Sequence, residues 1–194
     1  MDNQRNYQNT IPHLTSRKNI GIYGGSFNPV HLGHSWAILY ALSRYSLDEV
    51  WVIPCGSHPG GKELLSFWNR FKMCEIAFEH LRKVKVIPIE HYLPEPNYTR
   101  QTLEAIRDEQ ELANLHLIVG QDCMNSIATW EGSEEVMKLA KLLEVPRSGY
   151  DKDGHLLPDI SSTEIRKRLK ASKDVARQMD AGVENYIEEH ELYK

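Results

Sequence analysis

The sequence predicts an α/β fold, a Rossmann-like doubly wound parallel sheet, and three observations predict it. From Asn19 onward, short apolar runs alternate with longer runs of helical periodicity, the order that βαβ units produce. Most of the short runs are apolar at consecutive rather than alternate positions, as strands buried on both faces require. The first of them ends in Gly24-Gly25 and passes through a polar loop into the apolar run Trp36 to Leu42, the strand, loop and helix start that hold phosphates in such folds.

The candidate strands are Ile20–Tyr23, Glu49–Pro54, Val84–Ile89, Leu115–Gly120 and Leu142–Val145. Between the second and third, Phe67, Phe71, Cys74, Phe78 and Leu81 recur at steps of four and three and form one helix stripe. Leu103 and Ile106 mark a further helix after the Pro94-Glu95-Pro96 break, and Val183, Tyr186, Ile187 and His190 a C-terminal one. Residues 1–18 are polar, rich in Asn and Gln, and aperiodic. They read as a disordered or loosely docked extension ahead of a single domain over residues 19–194.

Composition narrows the class. A length of 194 residues suits one domain, and 41% apolar with 26% charged content is ordinary for a soluble globular protein. The net charge of −4 offers no bulk attraction to nucleic acid or an anionic membrane, so any anion site must be local. No run reaches the length of a membrane span, and the start lacks an apolar signal segment. Cys55, Cys74 and Cys123 show no C-x-x-C spacing, which points to reduced thiols in a cytoplasmic protein rather than disulfides or zinc. Composition leaves a homo-oligomer open.

Residues 21 to 34 read G-I-Y-G-G-S-F-N-P-V-H-L-G-H. Paired glycines let backbone N–H groups approach a polyphosphate, and a helix N-terminus adds partial positive charge. His31 and His34 add donors that can follow charge during phosphoryl or nucleotidyl transfer. The plain structural reading is a strand-end turn followed by a histidine cap. The string is not the dinucleotide fingerprint G-x-G-x-x-G. The two histidines have no nearby carboxylate or cysteine at first-shell spacing, so no metal site is expected from them. A second cluster, Ile160-Ser161-Ser162-Thr163-Glu164-Ile165-Arg166, fits a capping box at Ser161 and Glu164. It also fits an anion site in which hydroxyls, free N–H groups and Arg166 hold phosphate oxygens. Asp122, after the Leu115–Gly120 run, reads either as a helix cap or as a ribose contact.

The first loop resembles the [HT]-x-G-H signature of the nucleotidylyltransferase superfamily, and Gly24 to His31 look most like the nicotinate-mononucleotide adenylyltransferase family. Ile160 to Arg166 resemble that family's I-S-[SA]-T-x-I-R, Gly120-Gln121-Asp122 its G-x-D, and Asn97-Tyr98-Thr99 its S-Y-T. Val145 to Tyr150 resemble its V-P-R-P-G-Y, and Tyr186 to Tyr193 its terminal Y-I-x-x-x-x-L-Y, so the likeness runs from about Ile20 to Tyr193. It implies adenylyl transfer from ATP to nicotinic acid mononucleotide, with Mg²⁺ carried on the ATP. His31, His34 and Arg166 would be catalytic. Gly24, Gly25, Ser26, Phe27 and Lys62 would meet ATP on one side, with Gly120, Asp122, Ser161 and Ser162 on the other. Asn28, Tyr98, Thr99, Trp130 and Arg147 would meet the mononucleotide, Trp130 by stacking on the pyridine ring. The chain departs from the family pattern at Gln101, where Asp is common, and at Gly61, where a histidine precedes the lysine, while His58 stands four residues before Lys62. Glu131 follows Trp130. Nicotinamide mononucleotide or 4′-phosphopantetheine are alternative acceptors. The phosphopantetheine enzymes, however, usually carry Thr in place of His31 and lack I-S-S-T-x-I-R. A non-catalytic nucleotide-binding protein on the same fold is the reading from another class.

Overall fold

The computed structural model of the chain describes residues 7–57, 60–146, 149–150, 156–157 and 159–194. Five strands, β1 (Lys18–Gly25), β2 (Glu49–Pro54), β3 (Val84–Val86), β4 (Ala113–Gly120) and β5 (Lys141–Val145), form one sheet in the order β3-β2-β1-β4-β5. Every pairing in it is parallel. The chain winds outward from β1 in one direction and then restarts at β4 on the other side. The strand order therefore reverses between β1 and β4, where a crevice opens beyond the strands' C-terminal ends.

Each strand feeds a different layer with alternate side chains. Val50 and Val52 of β2 enter a core shared with α1 (Leu32–Arg44), α2 (Phe67–Phe78), α6 (Ser162–Lys170) and α7 (Ala181–Glu189). Trp51 and Ile53 point the other way, into a core with α3 (Thr99–Glu109) and α5 (Ser133–Leu139). All six residues of β2 are buried, which explains its unbroken apolar run. The short helix α4 (Gln121–Ser126) follows β4, and Gly149–Tyr150 pairs with Leu156–Leu157 in a separate two-stranded ladder.

Three expectations change in the structure. The third strand stops at Val86 rather than Ile89, and Ile89–His91 forms a 3₁₀ turn. Pro88 cannot donate to a ladder, so pairing ends before it. The α2 stripe is turned: Arg70, Met73, Cys74 and Phe78 face the core, while Phe67 and Phe71 are half-buried. Phe67 stacks on His91 with ring centroids 4.8 Å apart. The polar N-terminal stretch, expected as disordered or loosely docked, is docked at Ile11 and Leu14. Ile11 and Leu14 are buried in the α3–α5 core, and the Leu14 N–H donates to Gln110 Oε1 at 3.1 Å. Two apolar residues three apart in a polar segment are a weak sequence signal, yet they suffice once a groove exists to receive them. β1 itself begins at Lys18, inside that expected extension.

The cysteines are free thiols, Cys74 buried and Cys55 and Cys123 half-buried, and no helix among the described residues is long and apolar enough to cross a membrane. Docking of the N-terminal segment carries a measurable consequence. Leu14→Ala should lower unfolding stability by about 2–3 kcal/mol, within the range for truncating a buried leucine. A loss below ~0.5 kcal/mol in a urea titration would show that the segment is not packed in solution.

Candidate active site

A cleft of about 840 Å³ opens at the reversal of strand order, a volume suited to a small-molecule ligand. Its floor is the loop from β1 to α1. The Cys55 N–H donates to Gly25 O at 2.9 Å and ties this loop to the end of β2. Phe27 follows with φ 44°, a left-handed conformation uncommon for a bulky residue. Its ring is buried and lies 5.7 Å from Tyr23 and 4.9 Å from His34, centroid to centroid. A Cβ on Gly25 would stand 3.1 Å from the Phe27 ring, so the second glycine leaves room for that ring.

The H-x-G-H spacing has a physical basis here. His31 is the N-cap of α1 in an extended conformation, and its backbone N–H donates to Nδ1 of His34 at 3.1 Å. His34 thus takes the part that Glu or Gln plays three residues into a capping box. The rings lie 3.8 Å apart, and a Cβ on Gly33 would come within 3.0 Å of the His31 ring. Acceptance at Nδ1 makes the neutral His34 an Nε2–H tautomer, leaving Nε2–H as the donor of a ring that lines the cleft.

The N-terminus of α6 comes to the same loop. Ser161 caps it, accepting the Glu164 N–H at 3.2 Å, and Ser161, Ser162 and Thr163 line the cleft. The Ser162 hydroxyl donates to Pro29 O at 2.9 Å, and Arg166 Nη1 donates to Asn28 O at 2.7 Å. Both side chains expected on phosphates therefore hold the floor loop in this structure. Asn28, expected at the mononucleotide, turns inward with 3% exposure. Its Oδ1 accepts the Tyr193 hydroxyl at 2.8 Å and the Leu65 N–H at 3.4 Å.

Across the cleft, α4 begins at Gln121 with Gly120 as its N-cap, so Asp122 lies within the first turn rather than capping it. Its carboxylate curls back until Oδ1 stands 2.7 Å from where a Gly120 Cβ would be, and both residues line the cleft. Trp130, half-buried, lines the wall with Tyr98 and Thr99. Gln101 fills the capping role at α3, its Oε1 accepting the Tyr98 N–H at 2.8 Å. Glu131 accepts from Arg100 Nη2 at 3.3 Å, while Arg100 Nη1 bonds both oxygens of Glu104 at 2.9 Å. Gly24, Ser26 and the exposed Lys62 are also in the lining. His58 and Arg147 lie outside the described residues.

Two polar residues beneath the cleft carry no sequence signal of their own. Arg70 is 1% exposed; only its place on the otherwise apolar inner face of α2 could have marked it. Glu90, 9% exposed, accepts from the Thr102 hydroxyl at 2.7 Å and the Gly56 N–H at 3.2 Å. Burial pushes its carboxyl up to about 7 despite those bonds and the charge of Arg70. A Cβ on Gly56 would meet Asn97 Oδ1 and Glu90 O at 2.4 Å, so the glycine allows the end of β2 to touch this segment.

The strand order reverses at a cleft flanked by a Gly-Gly loop and by histidine-bearing and hydroxyl-bearing helix starts, and residues 22–168 match the nucleotidyl-transfer family model described as cytidylyltransferase-like. The protein named "Probable nicotinate-nucleotide adenylyltransferase" of Anaeromyxobacter dehalogenans (strain 2CP-C) is 37% identical over 186 residues, 93% of this chain and 100% of its own. Its namesake from Thermus thermophilus is 34% identical over 184 residues, 90% of this chain and 99% of its own. The fold is shared with Plasmodium falciparum nicotinic acid mononucleotide adenylyltransferase complexed with NaAD, at TM-score 0.73 and 21% identity over 91% of this chain and 98% of that one. The chain belongs to the nicotinate-nucleotide adenylyltransferase family, and it is a nucleotidyltransferase.

The raised Glu90 has a sign that can be checked. Between its ordinary 4.5 and about 7 the folded chain keeps a proton that the unfolded chain has lost, so this group's contribution to stability falls as pH rises through that window. The stability difference between wild type and Glu90→Gln should shift by about 2–3 kcal/mol in favour of the variant from pH 5 to pH 8. Urea midpoints at the two pH values measure it, and parallel pH profiles would mean that Glu90 titrates normally.

Proposed function

We propose that this chain transfers the adenylyl group of ATP to nicotinic acid mononucleotide, releasing pyrophosphate and forming the deamido form of NAD. The observation that carries this reading is the His31–His34 pair at the start of α1, inside a cleft of nucleotide size. The nucleophile, the mononucleotide 5′-phosphate, is already an anion, so the reaction needs no general base. It needs two anions held in line and the charge on the bridging oxygens neutralised.

His34 Nε2–H and the His31 ring donate to the α- and β-phosphate oxygens. The first-turn N–H groups of α6 and the exposed Lys62 receive the departing pyrophosphate. Gly120 and Asp122 take the adenosine ribose. Arg166 works through the loop, keeping its backbone in place while its own charge stays near the phosphates. Magnesium arrives as part of the substrate MgATP. Such a metal would be coordinated by the triphosphate and its own water.

Preference for nicotinate over nicotinamide is supported by two features of the wall. The N-terminus of α3 opens beside Tyr98 and Thr99, where first-turn N–H groups, which have no acceptor within a helix, favour a carboxylate over a neutral amide. Glu131, the acidic neighbour of Trp130, is drawn toward Arg100, which it shares with Glu104, so part of its charge is countered.

Pyrophosphate release measured with ATP and each mononucleotide tests the assignment, and kcat/KM should favour nicotinic acid mononucleotide. Equal values, or a nicotinamide preference, would overturn the acceptor while leaving adenylyl transfer standing. In the same assay His34→Ala should cut kcat by roughly 100- to 1,000-fold with a smaller change in KM, as loss of a transition-state donor does. A variant within a few-fold of wild type would remove His34 from the chemistry. Trp130→Ala should raise the KM for mononucleotide and leave that for ATP nearly unchanged; parallel rises in both would assign Trp130 to the core instead.

A further inference from the structure

Arg70 sits directly beneath the cleft floor, on the inner face of α2, and no step above uses it. Its guanidinium is buried and forked among main-chain oxygens: Nε donates to Leu65 O at 2.9 Å, Nη1 to Ser26 O at 2.9 Å and Nη2 to Gly56 O at 3.4 Å. Nη1 also lies 3.9 Å from Cys55 Sγ, and the guanidinium stands 5.7 Å from the Phe67 ring centroid. Among the described residues no carboxylate is within ion-pair distance of it, and Glu90 feels its charge only through space. Buried charges are ordinarily paired. Here carbonyl dipoles hold the cation in place, and its field extends into the adjoining cleft.

The bond to Ser26 has a directional consequence. In a trans peptide the C=O and N–H point opposite ways. With the Ser26 carbonyl turned inward to Arg70, the Phe27 N–H of the same peptide points away from Arg70, in a loop whose Ser26 and Phe27 both line the cleft. Phe27 holds a left-handed φ of 44°, a strained geometry that persists only where surrounding contacts enforce it. Arg70 is one such contact, and it joins this loop to the segment after β2 through Gly56 and Leu65.

We propose that Arg70 is a positioning residue of the anion site: it fixes the Ser26–Phe27 peptide so that the Phe27 N–H is offered to a substrate phosphate, and it places a permanent positive charge behind that donor. The inference rests on the adenylyl-transfer reading of the cleft. Lysine could keep the charge but not the fork, because its point ammonium cannot span three carbonyls in one plane.

Two substitutions and one resonance test this. In the wild-type chain, inorganic pyrophosphate should shift the Phe27 amide signal in a nitrogen–proton correlation spectrum; an unmoved signal overturns the proposal whatever the acceptor is. Arg70→Lys should bind pyrophosphate within about threefold of wild type by calorimetry, yet lose roughly 10- to 100-fold in kcat, because the donor is misaimed while the charge remains. Arg70→Gln should lose about tenfold or more in pyrophosphate affinity as well. A merely structural role would lower the unfolding midpoint and leave kcat per folded molecule and pyrophosphate affinity unchanged in both variants, and that result overturns the proposal. If Arg70→Gln does not fold, kcat of Arg70→Lys decides alone, a value within twofold of wild type counting against it. Absence of turnover in the wild type with ATP and nicotinic acid mononucleotide would instead sink the assigned reaction, and the Phe27 shift in the wild type and the pyrophosphate affinity of Arg70→Gln would still test the positioning role.

Discussion

Three carbonyl groups in the loop after β1, those of Ser26, Asn28 and Pro29, each accept a hydrogen bond from a side chain far along the sequence: Arg70, Arg166 and Ser162. The side chain of Asn28 is held in turn by Tyr193, one residue from the end of the chain. A loop that must present its N–H groups to a ligand has to direct its carbonyls elsewhere, and buried carbonyls need donors. The molecule supplies those donors from α2, α6 and the residues after α7. The cleft floor therefore depends on segments 44 to 165 residues away along the sequence.

The same arrangement bears on how an acidic chain could form the proposed anion site. The net charge of −4 is spread over the surface, whereas the starts of α1, α3 and α6 converge on one cleft. Helix N-termini carry their partial charge without adding a titratable group. Arg70 adds a full charge from the buried side, where screening by salt is weak.

The family departures are absorbed by local chemistry. Gln101 does the capping that the position demands, since an amide oxygen can accept the Tyr98 N–H as a carboxylate would. Glu131 brings a negative charge to the cleft wall, and Arg100 stands between it and Glu104, bonding both. A Cβ on Gly132, which has φ 66°, would overlap the Arg100 side chain, so the turn after Trp130 and the ion pair are shaped together.

By itself the sequence determined the sheet, its parallel sense and the place of its ligand crevice. Consecutive apolar residues, glycine pairs and a histidine cap act over a few positions and leave their mark there. Gly33 is legible for the same reason, because the His31 ring it accommodates is two residues away. Only tertiary structure decided the inward turn of Asn28, the assignment of Arg166 and Ser162 to the loop backbone, and the burial of Arg70 and Glu90. Those outcomes depend mostly on partners 12 to 165 residues away, and no pattern of neighbours encodes where a distant carbonyl will need a donor. The docking of Ile11 and Leu14 belongs with them. Two apolar residues cannot specify a groove that α3 and its neighbours create only on folding.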